Sequence, residues 1–238
     1  MTTLPQPIDA QGRSPLWLRI GFWICIVIAV AVVLRRLVAL AAPSHNGPPQ
    51  MAGLDDAFAS HAALTLAHIL PALLFVLIAP FAVFRRFAPL RWPEQFLFPL
   101  GAIVGLTALP MSAYAIGGWT ERSAVFFFDT LFLYSLARAF SYRHRGEPAL
   151  KRRWLLRALA ILLGIATTRP VMGVFFATAP LTHLVPRQFF GIAFWIGFSI
   201  NTAVFEAWIR AVDHRSKAVD AALPTAFDHV TANRRASS

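Results

Sequence analysis

The chain has 238 residues, of which 57% are hydrophobic and only 14% charged, and its mean hydropathy is +0.59. Soluble domains carry about 25% charged residues, so this composition excludes an ordinary soluble domain and favours a protein that lies in the lipid bilayer. The net charge is +11. Because the basic residues fall mostly in short segments between apolar runs, and no basic nucleic-acid-binding motif accompanies them, we expect no nucleic acid as a partner.

Apolar runs long enough to cross a membrane recur along the chain. A transmembrane helix needs about 20 predominantly apolar residues. Runs of this kind predict six helices, at residues 17–41, 61–84, 96–117, 124–141, 154–178 and 189–210. The predicted fold is therefore an all-α, polytopic integral membrane helical bundle with six transmembrane helices.

Three segments follow from this assignment. They are a cytoplasmic N-terminal segment (1–16), a six-span transmembrane domain (17–210) and a flexible cytoplasmic tail (211–238). The first apolar run has a rival interpretation as a signal peptide, because Ala39-Leu40-Ala41 resembles a cleavage site. The long segment before this run and the arginine pair near its end favour a retained span.

The connections carry the polar turn formers and most of the charge. The stretch APSHNGPPQMAGLDDAFAS, residues 42–60, is rich in Pro, Gly and Asp and predicts an external loop without a helix. With the N-terminus inside, 17 of the 22 Lys and Arg residues fall on the cytoplasmic side and four on the other. This asymmetry places both termini in the cytoplasm. It also predicts contacts between the cytoplasmic face and anionic lipid headgroups.

The remaining basic residue, Arg169, lies inside the fifth apolar run, in the stretch IATTRPVMG. A charged side chain at this depth is costly unless it has a partner. From the helical rise, Arg169 lies about 13 Å below the outer face, while Asp129 and His68 lie at about 9 and 12 Å. We therefore expect Asp129, and with it His68, to be the partners of Arg169.

Three further residues complete the predicted outer site. His61 lies seven residues before His68 and projects from the same helix face, so it belongs at the interface above it. Thr168 either bonds back to its own helix or supplies a hydroxyl to the pocket. Pro170 frees a backbone carbonyl one turn earlier and predicts a kink there. The predicted ligand-binding residues are His61, His68, Asp129, Thr168 and Arg169.

A second polar set lies near the inner face. Arg157 is three residues into the fifth span, and Glu206 lies near the end of the sixth, at matching depth and with the opposite charge. Asn201 is deeper on the same helix as Glu206. We predict a structural ion pair of Arg157 and Glu206, with Asn201, that orients the two spans.

No cofactor or metal is predicted. His61 and His68 share one helix and cannot hold a haem ring between them. A zinc site of His61, His68, Asp55 and Asp56 has no recognised ligand spacing. The sequence likewise contains no nucleophile-elbow motif.

Several fragments resemble a known family of bacterial membrane proteins, the one called domain of unknown function 2306. They are HILPALLFVLIAPF (68–81), KRRWLLRALAILLGIATTRP (151–170) and NTAVFEAWIR (201–210), within a resemblance that covers about 58–210. In this resemblance His68 matches a histidine that opens a span, and Arg169 matches a buried arginine. A basic-Trp motif is matched by Arg152, Arg153, Trp154 and Arg157, and a terminal polar set by Asn201, Glu206 and Trp208.

Two departures affect what the resemblance implies. The family carries His-Arg before its third span, where this chain reads APLRWPEQ, and a histidine where this chain has Lys151. Chemistry that depends on those inner histidines is therefore not expected here. The resemblance implies a helical membrane fold in the bacterial cytoplasmic (inner) membrane and no particular activity.

Three functions remain open from the sequence. The leading one is a multi-pass membrane protein with a polar intramembrane pocket that binds or transports a small molecule or ion. The second is a membrane redox or lipid-modifying enzyme that uses His61 and His68. The third is a structural accessory subunit.

Overall fold

A computed structural model describes residues 15–41, 59–83 and 92–236, with side chains as far as His214. Within those ranges the chain is helical and has no strand. The helices are α1 (Leu16–Ala41), α2 (Ala62–Val83), α3 (Trp92–Ser112), α4 (Gly118–His144), α5 (Pro148–Leu162), α6 (Gly164–Thr182) and α7 (Pro186–Ala236). Nearly all of the predicted N-terminal segment and external loop, including Asp55 and Asp56, lies outside the described residues.

Six stretches of the described chain are long and apolar enough to cross a membrane, which confirms the predicted bundle. Each of α1 to α4 forms one span, α5 and α6 together form the fifth, and Pro186–His214 of α7 forms the sixth. The 26 residues of α1 correspond to a length of about 39 Å, which exceeds the roughly 30 Å of a bilayer core.

Two helices extend further than the sequence predicted. Helix α4 begins at Gly118, six residues before the predicted start at 124, and this brings Glu121 into its first turn. Helix α7 continues to Ala236, so residues 211–236, which the sequence predicted to be a flexible tail, have a helical backbone. Alanine recurs along this tail, and because alanine is the best helix former, apolar periodicity is not needed to keep the backbone helical.

The fifth span is interrupted at Leu163, between α5 and α6. The backbone N–H of Ala166 bonds to the carbonyl of Leu163, a tighter three-residue spacing than in an α-helix. The sequence predicted a distortion one turn before Pro170, whereas the interruption lies two turns before it. The next residue, Gly164, packs closely against α7, because a Cβ there would lie 2.6 Å from the ring of Phe198.

Three helical hairpins make the bundle, α2–α3, α4–α5 and the pair α6–α7. Helix α4 lies centrally and packs against α3, α5 and α7, while α1 packs against α2 and α6. Only 11% of the apolar window of α1 is buried within the protein, the smallest share among the six spans. The shared core contains fully buried side chains from three helices, namely Phe75, Leu97, Val104, Leu155 and Leu159.

Candidate functional site

A cavity of about 280 Å³ lies between the helices and extends to the α3–α4 connection, which lines one end of it. Residues of all seven helices contribute to its walls. Its polar lining consists of Arg36, His61, Thr65, His68, Ser112, Tyr114, Glu121, Asp129 and Arg169. Most of the remaining lining is apolar. A mainly apolar cavity with a few converging polar groups is typical of small-molecule sites, and this one is at the small end of their size range. We refer to it below as the polar cavity.

Arg169 lines the polar cavity without an ion pair to any described acidic residue. Its Nη1 lies 3.8 Å from the Sδ of Met172, which is a weak acceptor. Its Nε is buried and has no hydrogen-bond partner among the described residues. Glu121 attracts the guanidinium electrostatically, whereas Arg35 and Arg36 repel it. The positive charge of Arg169 is therefore only partly compensated by this part of the chain.

Asp129 lines the same cavity but does not bind Arg169, so the predicted pair was wrong. Its side chain is 9% exposed, and its Oδ2 is buried with no hydrogen-bond partner among the described residues. The two residues lie on α4 and α6, which belong to different hairpins. Similar depth in the bilayer brought both to one cavity, but depth alone does not determine whether two side chains on separate helices touch.

His68 is held by α3 rather than by Arg169, which corrects the second predicted partner. Its Nδ1 lies 3.1 Å from the carbonyl oxygen of Val104 and 3.0 Å from the Oγ1 of Thr107. A carbonyl can only accept, so Nδ1 carries the proton and donates to Val104. Nε2 is consequently the acceptor nitrogen of the neutral ring.

His61 lies at the cavity end formed by the α3–α4 connection. Its ring stacks on that of Tyr114 with 3.6 Å between centroids and 32° between planes. Its Nδ1 lies 2.9 Å from the hydroxyl of Ser60. His61 and His68 therefore both line the cavity, but each also has protein partners.

Glu121 is the acidic residue that sequence reasoning missed. Its Oε2 accepts a hydrogen bond of 2.6 Å from the backbone N–H of Gly117, just before α4 begins. Gly191 of α7 packs so closely here that an added Cβ would lie 2.6 Å from the backbone nitrogen of Glu121. Gly117 and Gly118 followed by Glu121 form a pattern typical of a helix start, because acidic residues are favourable in the first turn of a helix. This pattern could have identified Glu121 from the sequence.

Thr168, predicted to bind the ligand, does not line the polar cavity. Its hydroxyl donates to the carbonyl of Gly164 at 2.9 Å, and its side chain is fully buried. A Cβ added at Gly197 would lie 2.6 Å from the backbone nitrogen of Thr168. The residue is therefore part of the close contact between α6 and α7.

The predicted contact between Arg157 and Glu206 is present. Arg157 donates from Nε and Nη2 to the two carboxylate oxygens, and its guanidinium also lies 4.6 Å from the ring centroid of Trp154. Asn201 does not join this pair, which corrects its assignment. It accepts a 2.7 Å hydrogen bond from Thr167 instead, about one turn nearer the middle of the span.

The basic residues near the start of α5 connect it to three other helices. Arg152 donates to the carbonyl of Val83 at 2.5 Å, Arg153 pairs with Asp213, and Lys151 pairs with Glu94. A second guanidinium, from Arg138, lies 5.4 Å from the centroid of Trp154. Charge-assisted contacts therefore hold this end of the bundle together, whereas Asp129 Oδ2 and Arg169 Nε in the polar cavity have no hydrogen-bond partner among the described residues.

Comparison of the chain with protein-family models, with curated proteins and with solved structures gave no match. The resemblance of residues 58–210 to the domain of unknown function 2306 family therefore stays a prediction.

Proposed function

We propose that this protein binds a small molecule with an anionic group in the polar cavity, and that Arg169 is the residue that holds the anion. The observation that carries the proposal is the guanidinium of Arg169, which lines a cavity with a buried, unpartnered Nε and no ion pair to a described acid. A carboxylate or phosphate matches the planar donor pattern of a guanidinium.

An arginine within a membrane span has two possible roles, to join helices or to bind a ligand. An arginine that only joins helices is expected to be paired, because an uncompensated buried charge is expensive. Among the described residues, the acceptor of Arg169 is the thioether of Met172. Glu121, the acid that attracts Arg169 electrostatically, already accepts a hydrogen bond from the backbone N–H of Gly117. An anionic ligand would supply the missing charge and acceptors at a position that the fold already provides.

The membrane setting is part of this proposal. The distribution of Lys and Arg supports a topology with both termini in the cytoplasm and the α3–α4 end of the polar cavity on the outer side. The resemblance of residues 58–210 suggests the bacterial inner membrane. The basic cytoplasmic end would then contact anionic lipid headgroups.

The test separates a ligand site from a structural contact by measuring stability and binding together. Purified protein in detergent micelles is unfolded by heat with and without 4-methylpentanoate, phenyl phosphate or phosphatidylglycerol. The variants are Arg169→Gln and the control Arg187→Gln, which removes an exposed arginine from the first turn of α7. We expect at least one anion to raise the unfolding temperature of the native protein and of the control but not of Arg169→Gln.

Without any added anion, Arg169→Gln should be at least as stable as the native protein, because it removes an uncompensated charge. A structural role for Arg169 predicts the opposite, a large loss of stability. Anion stabilisation that persists in Arg169→Gln, or no stabilisation by any of the three probes, would contradict the proposal.

A further inference from the structure

Asp129 presents a second polar group that has no partner in the described protein. It is 9% exposed, it lines the polar cavity, and its buried Oδ2 has no hydrogen-bond partner among the described residues. Nothing in the binding of an anion by Arg169 uses this carboxyl group. An anion next to it would in fact be repelled.

An unpaired acid and an unpaired guanidinium therefore line one cavity without contacting each other. A ligand with one charge of each sign would satisfy both, whereas an anion alone would satisfy only Arg169. We propose that the ligand is a zwitterion with a primary ammonium group at Asp129 and a carboxylate or phosphate at Arg169. This inference rests on the proposed function and adds the second half of the ligand.

The surroundings of Asp129 favour an ammonium over a metal ion. No three His, Cys, Asp or Glu side chains gather within the described part of the chain, so a metal ion would find too few ligands there. An ammonium has three N–H donors and needs several acceptors. His68, whose ring donates through Nδ1 to Val104 and so keeps Nε2 as an acceptor, lines the same cavity as Asp129.

The apolar walls set the remaining chemistry of the ligand. Phe128, Phe132, Phe194 and Phe198 line the polar cavity, and an aromatic face also favours a nearby cation. α1, the span with the smallest buried share, contributes a wall that includes Ala29 and Val33. An apolar α-amino acid and the aminoethyl phosphate headgroup of a lipid both match this combination of an ammonium, an anion and an apolar portion.

The experiment compares matched ligands that differ only in the ammonium group. The pairs are L-leucine with 4-methylpentanoate, and phosphatidylethanolamine with phosphatidylethanol. Binding is measured by titration on the full chain in dodecyl maltoside micelles. The native protein should bind at least one zwitterion roughly ten- to a hundredfold more tightly than its partner, the range expected for a hydrogen-bonded charge. The pair that shows this preference identifies a free amino acid or a lipid headgroup as the source.

Asp129→Asn should abolish that preference and leave the affinity for the ammonium-free anion unchanged or higher, while Arg169→Gln should weaken the binding of both members. Glu147→Gln, which removes an exposed acid just before α5, is the control and should behave like the native protein. The preference of the native protein is measured without any substitution, so it holds as a test even if Asp129→Asn fails to fold.

The outcomes separate the two proposals. Equal binding of zwitterion and anion by the native protein, dependent on Arg169, would overturn the zwitterion and leave the anion site standing. A preference that persists in Asp129→Asn would also overturn the assignment of the ammonium to Asp129. Absence of binding of all four ligands would overturn both proposals.

Discussion

Arg157 binds Glu206 through two hydrogen bonds, of 2.9 Å from Nε and 3.2 Å from Nη2, so that both carboxylate oxygens are used. The pair joins α5 to α7, and Arg210 adds a third contact at 3.2 Å from one turn further along α7. A bidentate pair fixes the relative orientation of two side chains, which a single contact does not. The inner end of the fifth span is therefore tied to the sixth at a defined register.

We expect Arg157 and Glu206 to be energetically coupled. A double-mutant cycle with Arg157→Gln and Glu206→Gln, followed by SDS-induced unfolding in mixed micelles, should give a coupling free energy of about 1–2 kcal/mol. The value is moderate because both side chains remain partly exposed. Arg157→Lys should recover only part of the stability, since an ammonium cannot make the bidentate contact. A coupling free energy near zero would show that the pair does not stabilise the bundle.

Close contact between α6 and α7 predicts opposite effects at two glycines. Gly197→Ala would place a Cβ 2.6 Å from the backbone of Thr168 and should destabilise the protein by about 1–3 kcal/mol. Gly173→Ala, on α6 with no atom within 4 Å of its Cβ position, should be neutral or stabilising by up to about 1 kcal/mol. Unfolding in mixed micelles measures both. Equal effects at the two positions would argue against the close approach of the helices.

Removal of the Glu121 charge should raise anion affinity while it lowers stability. Glu121 attracts Arg169, so Glu121→Gln leaves more of the guanidinium charge for a ligand. We expect 4-methylpentanoate to bind about three- to tenfold more tightly to this variant. Loss of the acid in the first turn of α4 should cost about 0.3–1 kcal/mol. Titration measures the change in anion affinity, and unfolding measures the change in stability. Weaker anion binding by Glu121→Gln would contradict the prediction and would indicate that Glu121 contributes to ligand binding.

The predicted sidedness can be tested with two exposed positions. In a Cys25→Ser background, Arg187→Cys lies at the start of α7 and Glu147→Cys just before α5, at opposite ends of the bundle. A membrane-impermeant maleimide should label position 187 in intact cells and position 147 only after permeabilisation. The reverse pattern would invert the topology, and labelling of both positions in intact cells would be inconsistent with a span between them.

Sequence reasoning located the six spans because apolar length is a property of each segment alone. The same holds for Arg157 and Glu206, which lie at one depth on two spans that follow each other in sequence and have long side chains of opposite charge. The partner of Arg169 could not be predicted from apolar length and depth alone. Whether Arg169 meets Asp129 or Glu121 depends on the rotation of α4 and α6 about their axes.

Thr168 and Asn201 illustrate the same limit. Both are polar residues within apolar spans, and the sequence assigned one to the pocket and the other to the inner pair. Gly197 draws α7 so close to Thr168 that this side chain is fully buried, and Asn201 meets Thr167. Small residues at helix contacts determine which polar side chains become buried between helices. A hydropathy profile contains no information about these contacts.

The interruption at Leu163 divides the fifth span into two parts that differ in how they are held in the bundle. The part before it is anchored by Arg152, Arg153 and Arg157, and the part after it carries Arg169. A helix whose regular hydrogen-bond ladder is broken at one residue bends there more readily than elsewhere. We therefore expect a tilt of α6 that widens or narrows the polar cavity to occur at Leu163, while α5 stays in place.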